Sequence, residues 1–234
     1  VRNYTLLYFV ENASKHKEPI AYRLCKEDYK FEFDMNVLSS SIIETFSYNI
    51  IHNYYVFNET SIYTDILYFI PISFIFEIYF DLFHYIGHRM LHNKYLYKYL
   101  HKKHHKFKHT IPIITFYQDP IDIIITNVFP MMLTLMLIPI PGISHFQYNA
   151  IIIYKTYGEI CGHLSKKCYP TVSFCQFIWL PKALNIELHT EEHDFHHSLN
   201  NCNFSKRFSL WDKCFGTFTS VHHHFNHYDN PQLS

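Results

Sequence analysis

The chain has 234 residues, room for one domain with a sizeable core, and its 20 Lys and Arg are matched by 20 Asp and Glu. A formal charge of zero leaves no bulk field from which to argue for nucleic acid or any other charged partner. The unusual counts are 19 His, 20 Tyr and 22 Phe beside 5 Gly and 17% charged residues, against about 25% in soluble domains, a balance that suits a protein partly solvated by lipid.

Cys25, Cys161, Cys168, Cys175, Cys202 and Cys214 form no CxxC pair and no dense framework, so reduced thiols in a cytosol-facing protein are expected. Asn3, Asn12, Asn58 and Asn203 open N-x-S/T sequons with no secretory signal peptide ahead of them. The first residue is Val1, so residues 1–61 are read as an N-terminal region that need not be complete. Within it the apolar stretch 37–57 carries Glu44, Asn49, His52 and Asn53, and an interfacial helix is as good a reading as a span.

Residues 62–80 are strongly apolar around Asp65, Pro71 and Glu77 and read as a tilted transmembrane helix. Residues 82–118 hold Arg89, Lys94, Lys98, Lys102, Lys103, Lys106 and Lys108 without one Asp or Glu, which favours the cytosolic face. A nucleic-acid patch is the weaker reading, because apolar segments flank this run on both sides. From 123 to 154 there is again no charged residue, and Pro139-Ile140-Pro141-Gly142 breaks the run, which predicts a helical hairpin, spanning or re-entrant.

The chemistry-bearing pattern is histidine at helical spacing. Asp81-Leu-Phe-His84-Tyr-Ile-Gly-His88-Arg-Met-Leu-His92 places rings at i, i+4 and i+8, along one helix face. His101, His104 and His105, and far downstream His193, His196 and His197, each repeat i, i+3, i+4, which on a helix turns all three rings to one side. A lone histidine is ordinarily a core or surface residue, but three repeats of ligand spacing supply more nitrogens than one ion can use, so two ions are the natural count. No cysteine lies in a box, which disfavours structural zinc, and Tyr-Ile-Gly between His84 and His88 removes the HExxH protease pattern.

HxxxH, HxxHH and HxxHH together are the signature of the fatty acid hydroxylase and sterol desaturase superfamily, which this chain resembles over residues 65–218. Within it the boxes, Leu96-Tyr-Lys-Tyr-Leu-His101 and the closing run Asn203-Phe-Ser, Phe208, Trp211-Asp212 and Phe215-Gly216-Thr217 look most like the C-4 methylsterol oxidases. The resemblance implies an all-α integral membrane protein with a cytosolic histidine-rich helical cap around a dinuclear iron site. It assigns residues 62–220 to that membrane domain and leaves 221–234 as a polar tail whose His222, His223 and His224 are read as adventitious. His16, His52, His109, His145 and His227 lack ligand spacing.

Carried over residue by residue, the implied ligands are His84, His88, His101, His104, His105, His193, His196 and His197, with His163 matching a further family histidine. His92 and His189 are additional candidates, and Asp81 and Asp194 could accept the second N–H of a ligating ring. Two departures from the sterol oxidases, Tyr117-Gln118-Asp119-Pro120 and Leu-Ser-Lys-Lys-Cys-Tyr-Pro after His163, lie outside the boxes and bear on substrate. The implied activity is O2-dependent oxidation of a lipid C–H bond, a sterol first and a fatty acyl or sphingolipid chain second, at the endoplasmic reticulum with the site facing the cytosol. No Rossmann fingerprint or CxxCH haem site is present, so electrons must come from a separate donor, and the family suggests cytochrome b5 with an NAD(P)H-dependent reductase. The basic run 89–108 is a candidate docking face for it. The rival from another class is a non-enzymatic histidine-rich metal-binding membrane protein.

Overall fold

A computed structural model describes residues 1–20, 30–108, 110–137, 142–164, 166–167 and 179–220, apart from the Phe31 side chain. Cys25, His109, the Pro139-Ile140-Pro141 break, Cys168, Cys175 and the 221–234 tail lie outside the described residues. Among those described the chain is helical, and extended pairing is confined to the isolated bridges Pro19 with Lys166 and Asn58 with Ser144.

Helices α1 (Arg2–Ala13) and α2 (Lys30–Tyr54) precede the long α3 (Ile62–Leu91). On α2 both faces are mixed, with Phe33, Val37 and Ile51 buried beside polar groups. Ser40 points inward to the Phe116 carbonyl and Glu44 to Arg2 and Asn3, while Leu38, Ile42 and Phe46 are exposed. Ser61 caps α3 by accepting the Thr64 amide, and Pro71 is carried inside the helix. The first half of α3 exposes Tyr63, Ile66, Leu67 and Tyr68, whereas Phe76, Phe80, His84, His88 and Leu91 are buried at three- and four-residue steps. One helix therefore offers an apolar outer half and delivers the first histidines into the protein.

The short α4 (Lys94–Leu96) runs into a π-turn at Tyr97–His101, and 3-10 turns follow at His104–Lys106 and Pro112–Phe116. Next, α5 (Pro120–Ile123), a π segment (Ile124–Val128) and α6 (Phe129–Leu137) make one helical run. Ile62–Leu91 and Pro120–Leu137 are long and apolar enough to cross a membrane. Helix α7 (His145–Gly162) starts at a Ser144–Gln147 capping box and continues past the uncharged stretch, burying Lys155 and Glu159. Three short helices follow among the described residues: α8 (Trp179–Ala183), α9 (Thr190–Leu199) and α10 (Leu210–Cys214).

Helix α3 is the hub. Its Phe76 and Phe80 pack with Ile51 of α2, Met131 and Leu135 of α6, and Tyr148 and Ile151 of α7. Beside that core lies a buried ion network. Arg207 Nε donates to Glu77 at 2.6 Å, while Lys155 and Lys206 meet Glu159 at 2.6 and 3.1 Å. Removing one partner would leave a charge unpaired in the interior, so this network fixes the 204–208 segment firmly against α3 and α7.

Candidate metal centre

Four pieces of chain bring their imidazoles together: the end of α3, the turns at 101–106, the C-cap of α7 and helix α9. The rings form two groups able to hold a metal ion. His88, His92, His101, His105 and His196 make one, and His104, His163, His193 and His197 the other, with the ligating atoms of each within 4.8 Å of one another. All are buried except His92, which is half-buried.

Helical spacing accounts for this division in the third box, on α9. Successive helical residues turn by about 100°, so positions i and i+4 nearly eclipse while i+3 points about 60° the other way. On α9, His193 and His197 accordingly share the second group and His196 turns to the first; the second box sends His101 and His105 to the first group and His104 to the second. The second and third boxes thus each give a pair to one group and a single ring to the other. The expectation that all three rings of a box face one side is replaced by this reciprocal exchange. The second box lies in π and 3-10 turns rather than in an α-helix, the Lys102 amide reaching back to the Tyr97 carbonyl.

Hydrogen bonds set the tautomers. Nδ1 of His88, His163 and His196 faces the carbonyls of Phe204, Glu159 and Cys202 at 2.7–2.8 Å, and Nδ1 of His101 faces the Asp122 carboxylate at 2.7 Å. These oxygens only accept, so Nδ1 carries the proton and Nε2 of each neutral ring is a bare lone pair. His88 Nε2 and His101 Nε2 then oppose each other at 3.0 Å. Further Nε2 pairs, His101 with His105, His105 with His196, His163 with His193 and His163 with His104, lie at 3.0, 3.1, 3.1 and 3.4 Å. Metal–nitrogen bonds of about 2.0–2.1 Å place adjacent ligand nitrogens about 3.0 Å apart at a right angle and about 3.4 Å apart at a tetrahedral angle. The spacing fits a shared cation, and converging lone pairs need one.

Burial, reinforced by neighbouring imidazoles, holds His104, His105, His193 and His197 well below the ordinary imidazole range. Burial likewise draws His163 down to about 4 and His196 to about 3. Neutral rings are the form that ligates metal. Nδ1 of His104, His105 and His197, both ring nitrogens of His197 included, and Nε2 of His92 have no hydrogen-bond partner among the described residues.

Other candidates sit elsewhere. His84 lies outside both groups, its Nδ1 on the Thr126 carbonyl at 2.7 Å and its ring centroid 5.0 Å from that of His88. His189 caps the start of α9 and joins neither group. Asp81 spends its carboxylate on the amides of Lys206, Arg207 and Phe208, which pins the segment that orients His88. Asp194 accepts the Thr110 amide at 3.3 Å. Asp122, not singled out from sequence, is the carboxylate that meets a cluster ring, and its place two residues after Pro120 in an apolar run carried no ligand-like spacing.

Two pockets among the described residues differ in how they relate to the centre. A cavity of about 290 Å³ between α1, α2, α6 and α7 is lined by Glu44, Ile51, Asn127, Met131 and Lys155, and by no histidine and no residue of α3. A larger open cleft of about 680 Å³ is lined by Tyr85, Arg89, His92, Asn93, Asn200 and Phe204, and so reaches the first group directly. The cleft, not the smaller cavity, adjoins the chemistry.

The sequence profile of the fatty acid hydroxylase family matches residues 73–217, the stretch that holds every ring of both groups. A fungal relative, fatty acid hydroxylase vlmA of a Lecanicillium species, is 36% identical over 70 residues, which are 28% of this chain and 19% of that protein's length. No solved structure matches. On the profile match across most of its length, the chain belongs to the fatty acid hydroxylase family.

Proposed function

We propose that this chain is a membrane-bound lipid hydroxylase whose two histidine groups each hold one iron ion. Family membership supports an oxidoreductase acting on lipid, and the paired lone pairs of His88 and His101 at 3.0 Å carry the metal reading. Bound iron would supply activation of dioxygen for oxidation of a C–H bond. The chain's own contribution is placement. Carbonyls of Phe204, Glu159 and Cys202 and the Asp122 carboxylate lock the ring tautomers, and burial keeps the imidazoles neutral and water out.

The run that resembles sterol oxidases is occupied with scaffolding. Asp212 accepts the amides of Phe204 and Ser205 and the Thr217 hydroxyl, Asn203 bridges Glu192 and Thr219, and Trp211 donates to the Ile78 carbonyl. Those residues report how the site is built, so they do not favour a sterol over an acyl lipid. Reducing equivalents come from a separate donor such as cytochrome b5 with its NAD(P)H-dependent reductase, for which exposed Arg89, Lys94, Lys98 and Lys102 form a basic face on the cytosolic side of the endoplasmic reticulum.

Purified protein reconstituted anaerobically with ferrous iron should retain about two ions per chain. The doubly substituted His104→Ala, His105→Ala protein, which removes one ring from each group, should retain fewer. Expression in cells lacking their own C-4 methylsterol oxidase, with sterols and hydroxylated acyl lipids profiled beside a His196→Ala control, then separates the substrates. Bound metal with no lipid oxidised would favour the non-enzymatic metal-binding protein.

A further inference from the structure

Helix α3 carries an exposed apolar stripe that does not stop where the histidines begin. Ile75, Ile86 and Met90 are each about half exposed, and Ile86 and Met90 form one wall of the open cleft. This stripe continues the exposed face of a helix long and apolar enough to cross a membrane. Across the cleft lie Leu96, Phe204 and Phe215, and Phe215 stacks on Tyr85 at 5.2 Å between centroids. An apolar trough therefore leads from the lipid-facing surface of α3 to the only half-buried member of the first histidine group, His92.

The trough ends in polar groups of one kind. Arg89, Asn93, Asn200 and Asn201 line the same cleft, with no carboxylate among its lining residues. The Arg89 guanidinium donates to the Tyr85 hydroxyl at 2.8 Å and pairs with no carboxylate among the described residues. Asn200 adopts a left-handed conformation at φ 62°, which ends α9 and turns the chain along the rim. Arg89 in the last turn of α3, its C-cap His92 and the following Asn93 line the same cleft, so a polar head held at the rim lies within a few carbons of the histidine group.

Resting on the lipid-hydroxylase reading, we infer that this cleft is a lipid-binding site. It takes a single-chain amphipathic lipid with an anionic head from the bilayer, the chain lying along Ile86 and Met90 and the head at Arg89 and the asparagines. The positive, acid-free rim selects the head, and the stripe selects the chain. The smaller cavity between α2 and α7 is lined by no histidine and no residue of α3.

The test uses the full chain in nanodiscs, with a long-chain fatty acid bearing a diazirine near its carboxylate and the methyl ester of the same probe. After irradiation, labelled peptides are mapped by mass spectrometry. The fatty acid should label residues 85–96 and 200–217, the ester several-fold less. Met90→Arg, an exposed position, should cut that labelling at least tenfold, and Arg89→Gln should abolish the preference for acid over ester. Label spread evenly over Ile66, Leu67 and other exposed positions, label concentrated at Ile51, Ile123 and Met131, or label in the cleft that ignores both substitutions would each overturn the inference. Metal content of the same samples reads the other question separately. Cleft labelling without metal retention would sink the hydroxylase reading alone, and metal retention without cleft labelling would sink only this site.

Discussion

The Asp122 carboxylate accepts the Nδ1 proton of His101 at 2.7 Å, with both side chains at most 2% exposed. The pair crosses from the helical run after Pro120 to the π-turn of the second box, so a residue in an apolar helix fixes the tautomer of a ring that faces both His88 and His105. Loss of such an acceptor lowers metal affinity by about 10- to 100-fold. Asp122→Asn keeps an oxygen that can accept the proton but removes the charge, whereas Asp122→Ala removes both. Chelator competition on the iron- or cobalt-loaded protein should rank wild type above Asn and Asn above Ala. An Ala variant that holds metal as tightly as wild type would show that the contact is structural only.

The two histidines of α3 and its C-cap His92 supply the next comparison. His92 belongs to the first group and His84 does not, its Nδ1 being occupied by the Thr126 carbonyl. His92→Ala should therefore release more metal than His84→Ala, measured as ions per chain after dialysis. The reverse order would mean that the first group closes around the upstream pair of the run.

The histidine boxes were legible because i, i+3, i+4 spacing is a property of one short segment. The way they interleave was not, since it depends on how α9 is set against the turns at 101–106, a relationship between segments some ninety residues apart. Within the run His84, His88, His92, periodicity alone offers two equivalent i, i+4 pairs, and only the position of Phe204 and of the second box distinguishes them. Asp81 was conspicuous as an acid beside a box, yet helix geometry turns it to the 206–208 amides. Asp122 was inconspicuous because its partner is distant in sequence. The two long apolar helices were readable from composition, but α2, which buries Ser40 alongside Val37 and Ile51, reads from sequence as merely interrupted.

Protonation should destabilise the metal-free protein from the acid side. The rings of His104, His105, His193 and His197 sit well below the ordinary range, His163 near 4 and His196 near 3, each chiefly because burial opposes the charged form. Below about pH 6.5 the unfolded chain binds protons that the folded chain refuses, so stability is full above that pH and falls as pH drops toward 3–4. Each ring steepens the fall by about 1.4 kcal/mol per pH unit within the window. Thermal unfolding of chelator-stripped protein in detergent should show Tm dropping steadily between pH 7 and pH 5. A flat Tm over that interval would contradict the buried, neutral state of the rings.

Gly87 lies on α3 between His84 and His88, where the helix crosses the π segment Ile124–Val128. A Cβ built there would meet the Ile125 carbonyl oxygen at 2.9 Å and its Cγ2 at 3.1 Å. The nearer atom is backbone and cannot rotate aside, so the two helices would have to separate. The same segment presents the Thr126 carbonyl to His84, and Asp122 to His101 lies just before it, so separation would loosen the anchoring of both rings. Alanine gains about 1 kcal/mol of helix propensity over glycine, but overpacking at a close crossing costs about 1–3 kcal/mol, so the net effect is destabilising. Gly162, at the end of α7, has nothing within 4 Å of its added Cβ and serves as the control. Gly87→Ala should lower Tm and weaken metal retention, while Gly162→Ala should leave both unchanged or raise Tm slightly. If Gly87→Ala unfolds at or above the wild-type temperature, the close approach of α3 to the 124–128 segment does not position the metal centre.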